Sequence, residues 1–319
     1  MIRRRDFSAW LPVSGLSLAG ARSVNAQTAN PLRMLVGFVP GGTVDVIARS
    51  VSEGLRPFGF NSLVDNRPGA SGRLATTALL AAPPDGATVM MTPSTNLTLF
   101  PSVHANLRFR HEDFAYLGIA AEVQFGLAVP SDGGARTLAE FLERARKDPK
   151  AGQFGVPGSG SVMELLGNLL ERLAKVQLQS VPYKGGVAAI NDALGGVLPA
   201  VITALPNLVP MHKSGKLRIL AVTSDRPHPA LPEVPTFASA GFPDLTASEY
   251  LCLVARKGVS VAFVDKMNAE PYVAAFFDNI KTDAADAEFD IQVCEPRSRL
   301  ALSQSADARK LHVATIGAH

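Results

Sequence analysis

Short apolar runs at Leu32 to Val39, Asn61 to Asp65 and Thr88 to Thr92 alternate with longer Ala- and Leu-rich stretches at Val44 to Leu55 and Gly72 to Ala82. Runs of the first length suit buried strands and stretches of the second suit helices, so the chain opens β-α-β-α-β. Turn signals at Pro83-Pro84-Asp85-Gly86 and Pro101-Ser102 punctuate it. The apolar run Gln124 to Val129 stops at Pro130-Ser131-Asp132-Gly133-Gly134 and is the first candidate for a crossover between domains. A second alternation follows, with helices at Thr137 to Lys147, Ser161 to Ala174, Val187 to Leu194 and Leu205 to Lys213. Its strands fall at Gln153 to Val156, Val176 to Val181, Leu198 to Thr203 and Lys216 to Val222. After the Pro-rich stretch Arg226 to Pro235, the run Tyr250 to Ala255 reads as a return crossover.

Such alternation predicts an α/β protein with a mostly parallel sheet flanked by helices in each of two domains. Residues 27–130 and 250–319 form the first domain and 131–249 the second, with hinges near 125–131 and 247–256; a continuous split into 27–150 and 151–319 is the competing division.

With 319 residues, 47% hydrophobic and 18% charged, the chain buries a core of two-domain size. Residues 1–26 are read apart from it: Arg3, Arg4 and Arg5 precede the modestly apolar Ala9 to Ala21, and Val24-Asn25-Ala26 supplies small residues for a cut. That is the pattern of an export signal, by the Sec or the twin-arginine route, and a basic tail is the plainer alternative. The segment carries all of the formal +3 charge, so the remainder is neutral and offers nothing to nucleic acid or anionic lipid. No later run is long enough to cross a bilayer, which predicts a soluble mature protein. Cys252 and Cys294 cannot form a Cys-x-x-Cys motif, and an oxidising compartment leaves their pairing open.

The chemistry concentrates in glycine loops. Val39-Pro40-Gly41-Gly42-Thr43 and Asn66-Arg67-Pro68-Gly69-Ala70-Ser71-Gly72 each follow a strand and enter a helix, which leaves backbone N–H groups free at a helix start. Either loop alone is also a plain turn. As a pair at the carboxyl ends of neighbouring strands they suit an anion, most simply a carboxylate. Asp45 in this reading supports the helix start and does not touch ligand. Gly158-Ser159-Gly160-Ser161 opens a helix in the second half, where Ser159 and Ser161 cap the helix or donate to a ligand. Tyr183 in Pro182-Tyr183-Lys184-Gly185 is a stacking surface or an exposed turn.

Other chemistry lacks its constellation. None of the loops completes a phosphate-binding G-x-x-x-x-G-K or G-x-G-x-x-G, and neither serine sits in G-x-S-x-G. The six histidines show no metal-binding spacing. No cofactor, metal or catalytic residue is assigned.

In order along the chain, Val39-Pro40-Gly41-Gly42 with Asp45 and Ala48-Arg49, Asp65 to Gly72, Pro84-Asp85-Gly86, Val181 to Gly185, Gly195-Gly196, Gly215 to Thr223 and Leu231-Pro232-Glu233-Val234-Pro235-Thr236 resemble the Bug-type solute receptors of the tripartite tricarboxylate transporter family. The resemblance spans residues 35 to 240 and fades after Ala262. It implies a type II, Venus-flytrap periplasmic binding protein that closes on a small organic acid and delivers it to cognate membrane transporter subunits, as a monomer and without catalysis. Carried over residue by residue, it implies that Phe38, Pro40, Gly41, Gly42, Thr43, Ala70 and Ser71 form the first domain's ligand loops, joined by Ser94 and Thr95. It implies that Ser159, Gly160, Ser161, Tyr183 and Thr203 face them from the second domain. Thr203 stands where the family often carries Asp, which favours a plain organic acid over an amino acid. At the return crossover Tyr250 replaces a usual Trp and Cys252 a usual Gly. Two other classes stay open: a periplasmic enzyme acting on an organic acid through Ser159 or Ser161, and a sensor subunit that presents its ligand to a partner.

Overall fold

β1 (Leu32–Val36) lies between two parallel neighbours, β2 (Ser62–Asn66) and β3 (Thr88–Pro93), in the computed structural model, which describes residues 31–268 apart from 105 and 133. Met34, Leu35 and Val36 are all fully buried, as expected of a strand covered on both faces. The helices that cover it are α1 (Thr43–Leu55) and α2 (Arg73–Ala81). α1 buries Ile47, Ala48, Val51 and Leu55, one helical stripe, and each fully buried side chain of the larger kind contributes about 1.5–3 kcal/mol. Two short helices, α3 (Ser94–Thr98) and α4 (Phe100–Val103), then lead to the longest element.

That element is β4 (Phe114–Pro130), a single strand of 17 residues that belongs to both halves of the molecule. From Phe114 to Gln124 it runs antiparallel to β9 (Ser248–Arg256), which in turn pairs antiparallel with β3. From Phe125 onward it pairs with β7 (Ala200–Ala204) and β8 (Leu217–Val222). β7 continues, in parallel, to β5 (Gln153–Val156) and β6 (Gln179–Pro182). The full order is β2-β1-β3-β9-β4-β7-β5-β6, with β8 also on β4. Each lobe therefore has the expected parallel core, and the strands that join the lobes make the antiparallel pairings.

The second lobe is covered by α5 (Leu138–Lys147), α6 (Val162–Ala174), α7 (Gly186–Leu194) and α8 (Leu205–Lys213), and the described chain ends in α9 (Val261–Asn268). Thr137 caps α5 by accepting from Glu140 N–H, while Arg144, Arg146 and Lys147 complement its carboxyl end. α6 lies close on β5 because a Cβ at Gly167 would meet the Phe154 ring at 2.1 Å.

Thr223 ties the lobes where β4 changes partners. Its hydroxyl accepts from Phe125 N–H at 2.9 Å and donates to Ala247 C=O at 2.7 Å, and its backbone bonds both residues as well. It is 1% exposed. One side chain thus pins the outgoing strand, the end of β8 and the entry to β9.

The export-signal segment 1–26, Cys294 and the C-terminal tail lie outside the described residues; Cys252 is buried on β9. No helix among the described residues is long and apolar enough to cross a membrane.

Candidate functional site

The ends of the parallel strands of both lobes face each other across one cleft, lined by Phe38, Gly42, Thr43, Ser71, Thr95 and Asn96 on the first lobe and by Gly158, Ser161, Gly186, Thr203, Ala204 and Asn207 on the second. Four helices begin there: α1 at Gly42 and Thr43, α6 at Ser161, α7 at Gly185 and Gly186, α8 at Ala204. Helix starts carry unsatisfied N–H groups and the positive end of the dipole, so their convergence makes an anion site without a basic side chain. Among the described residues, no Lys, Arg or His lines the cleft. The N-cap residues of α1, α7 and α8, namely Gly42, Gly185 and Ala204, make no side-chain cap. The α6 start differs: Ser161 accepts from Glu164 N–H at 3.3 Å and Gly160 N–H donates to the Glu164 carboxylate at 2.6 Å.

The lobes touch. Ser71 Oγ donates to Ser159 C=O at 2.9 Å, and Thr43 N–H donates to Asn207 Oδ1 at 3.1 Å. Between them the cleft keeps about 60 Å³ of free space, room for roughly four waters at ~15 Å³ each. The two contacts narrow the cleft without sealing it.

The loop ahead of α1 is held from behind. Asp45, 2% exposed, accepts from Gly41 N–H, from Asn66 Nδ2 and from the Arg49 guanidinium, at 2.8–2.9 Å. Burial pushes its carboxyl up, but the hydrogen bonds from Arg49, Gly41 and Asn66 and the Arg49 charge outweigh it and hold the group below the usual carboxylate range. Asp45 therefore supports the helix start, as its place in the loop implied. In the second loop Ala70 and Ser71 both have positive φ, 48° and 56°, which turns the Ser71 hydroxyl across the cleft.

The remaining residues singled out in the sequence stand as follows. Phe38, Gly42, Thr43, Ser71, Thr95, Ser161 and Thr203 line the cleft, whereas Pro40, Gly41 and Ala70 shape its loops without lining it. The Ser94 hydroxyl accepts from Tyr250 N–H, fixing β9 against α3. Ser159 contributes its carbonyl, and Gly160 is spent on Glu164. Tyr183 packs against the second lobe's core and donates to Asp192 at 2.7 Å, and burial together with that bond pushes its phenol up to about 12. The Thr43 hydroxyl is buried without a hydrogen-bond partner among the described residues, and Thr203 Oγ1 accepts a 3.4 Å bond from Asn207.

Three polar lining residues, Asn96, Asn207 and Glu249, were not singled out in the sequence. Asn207 is the third residue of α8, where its amide reads as ordinary helix surface. Glu249, 5% exposed, is the one ionisable side chain in the cleft among the described residues. It accepts from Thr95 Oγ1, and burial pushes its carboxyl up to about 7 against the lowering effect of that bond. It falls at the start of β9, just ahead of the apolar run that marked the strand.

The tripartite tricarboxylate transporter family receptor model matches residues 47–313. The match continues beyond Ala262, where the motif-by-motif resemblance had faded. A protein of the tcbD-tcbE intergenic region of Pseudomonas sp. strain P51 is 32% identical over 271 residues, 84% of this chain and 80% of that protein. Among solved structures, the periplasmic binding protein BugD is 27% identical, covering 88% of this chain and 93% of that one, with a TM-score of 0.77. MatC (Rpa3494) from Rhodopseudomonas palustris, with bound malate, is 25% identical, covering 88% of this chain and 95% of that one, with a TM-score of 0.79. With the family model spanning most of the sequence and the two-lobed binding-protein fold around it, this chain belongs to the Bug-type receptors of the tripartite tricarboxylate transporter family.

Proposed function

We propose that this chain is an exported, monomeric receptor that closes its lobes on a small carboxylate in the periplasm and passes it to cognate membrane transporter subunits without altering it. The observation that carries the reading is the convergence of α1, α7 and α8, none capped by its own N-cap residue and the first N–H of α1 held by Asn207, on a cleft that holds the Thr43 hydroxyl, unpartnered among the described residues. A ligand carboxylate satisfies such N–H groups and that hydroxyl at once. The malate in MatC supports the same ligand class. The serine hydrolase reading has less to stand on, since the Ser161 hydroxyl caps α6 and Ser159 meets the first lobe through its backbone.

Thermal shift against malate, succinate, adipate, benzoate and glutamate tests it. A ligand at a hundred times its dissociation constant adds about 2.7 kcal/mol, roughly 5–10 °C for a fold of this size. Ligand recovered unchanged after incubation supports a receptor; no upward shift with any acid, or turnover abolished by Ser161→Ala, overturns it.

A further inference from the structure

Glu249 has no role in holding a single carboxylate, and its position demands one. It projects from β9 on the same side as Leu251, and together with Phe38, Phe100, Val123 and Met163 these side chains make the apolar part of the cleft wall. Among the described residues its one hydrogen-bond partner is Thr95, which donates to Oε1 and leaves Oε2 for whatever fills the cleft. A buried carboxylate ordinarily has a cation beside it. Among the described residues, the charged groups of every neighbouring element are engaged elsewhere. Glu122 on β4 accepts from Ser248, Asp45 on α1 is bound by Arg49 and Asn66, and Glu164 on α6 takes Ser180 and the Gly160 N–H. α3 brings only Ser94, Thr95 and Asn96. His104 packs edge-on against Phe100 and is depressed by burial and by Arg73. Across β9 itself, Arg256 bonds Ala82 C=O at the far end of the strand.

With no cation beside it among the described residues to stabilise the ionised form, and with helix starts whose positive ends favour anionic occupants over cations, a proton is the simplest neutralising partner for Glu249. We infer that Glu249 is a specificity-determining residue of this cleft, a neutral carboxylic acid whose Oε2 hydroxyl donates to a second carboxylate of the ligand. The inference rests on the receptor reading above and narrows it to diacids. One carboxylate sits at the helix starts and Thr43; the other is recognised by an O–H donor that an ionised Glu249 lacks. An anion against Glu249 favours the protonated form further, so capture above neutral pH takes up one proton from solvent per ligand.

Calorimetry on the full protein tests this with succinate, glutarate and adipate, the monocarboxylic acids of the same lengths, and the ω-amino acids of the same lengths, at pH 6.5 and 8.0. Diacids are expected to bind at least about tenfold more tightly than matched monoacids, the scale of a charge-assisted hydrogen bond. With Glu249 titrating at about 7, that advantage shrinks roughly eightfold between the two pH values. Glu249→Gln, which keeps a donor but cannot titrate, is expected to flatten the pH profile while retaining the diacid preference; Glu249→Ala loses the preference. Equal binding of monoacids and diacids, a diacid advantage independent of pH in the wild type, or ω-amino acids binding best and more tightly as pH rises would each overturn the assignment while leaving a carboxylate receptor intact. Failure of every acid to bind would take the receptor reading with it.

Discussion

The Ser71 hydroxyl and the Ser159 carbonyl, 88 residues apart in sequence, meet at 2.9 Å and join the two lobes across the cleft. Beside them, a Cβ on Gly158 would lie 2.4 Å from Ser71 Oγ and 2.9 Å from its Cβ. Closure therefore needs a bare backbone at 158. Gly158→Ala is expected to leave the melting temperature of the ligand-free protein within a degree or two but to keep the lobes apart when ligand is added. Overpacking of this kind costs about 1–3 kcal/mol, or roughly 5- to 150-fold in affinity. Small-angle scattering reads it directly: a liganded variant as compact as the liganded wild type would contradict the closed geometry. Ser71→Gly removes the hydrogen bond without the clash and without strain at φ 56°, and is expected to cost only about fivefold.

Thr43 separates binding from stability. Its hydroxyl is buried and has no partner among the described residues, so the isosteric Thr43→Val is expected to lose no internal hydrogen bond and to melt no lower than wild type without ligand. Its carboxylate affinity is expected to fall about tenfold, the contribution of a hydrogen bond to a charged group. An unchanged dissociation constant would remove Thr43 from the ligand site.

Thr223 predicts the reverse. Thr223→Val leaves Phe125 N–H and Ala247 C=O without their side-chain partner in a buried position, and is expected to lower unfolding free energy by about 1–3 kcal/mol in urea titrations. Thr223→Ser should recover most of the loss. Equal stability of the valine and serine variants would mean that the backbone bonds suffice to hold the crossing.

Glu249 makes the ligand-free protein less stable as pH rises. Its folded value of about 7 lies above the ordinary glutamate range, so the native state holds the proton longer than the unfolded chain does. Below pH ~4 both states are protonated and the residue is neutral to stability. Between pH ~4.5 and 7 the unfolded chain ionises first, stability falls, and above pH 7 a penalty of about 3 kcal/mol is fully present. Glu249→Gln removes it. The melting temperature of the variant should exceed that of wild type at pH 8 and converge with it near pH 4.5; a constant difference across that range would show that Glu249 does not titrate abnormally.

Much of the fold was legible in the sequence, because its elements are set by local chemistry. Gln153 to Val156 and Leu205 to Lys213 match a strand and a helix residue for residue, since each is bounded by turn or capping residues. The first ten residues of β4 were not legible. Phe114 to Val123 mixes apolar, polar and small residues without strict alternation, and a register irregular at two places blurs the period of two. The glycine loops of the site were readable for the opposite reason: strand, glycine, helix start is a local pattern. Glu249 and Asn207 were not, because what makes each a cleft residue is supplied by distant segments, Thr95 in one case and the Thr43 N–H in the other.

The 60 Å³ of free space has a kinetic meaning. On the receptor reading, an acid larger than that volume leaves only when the lobes part, so the frequency of lobe separation would set a ceiling on departure that all such ligands share. Weak and strong ligands would then differ in the chance of escape during each opening.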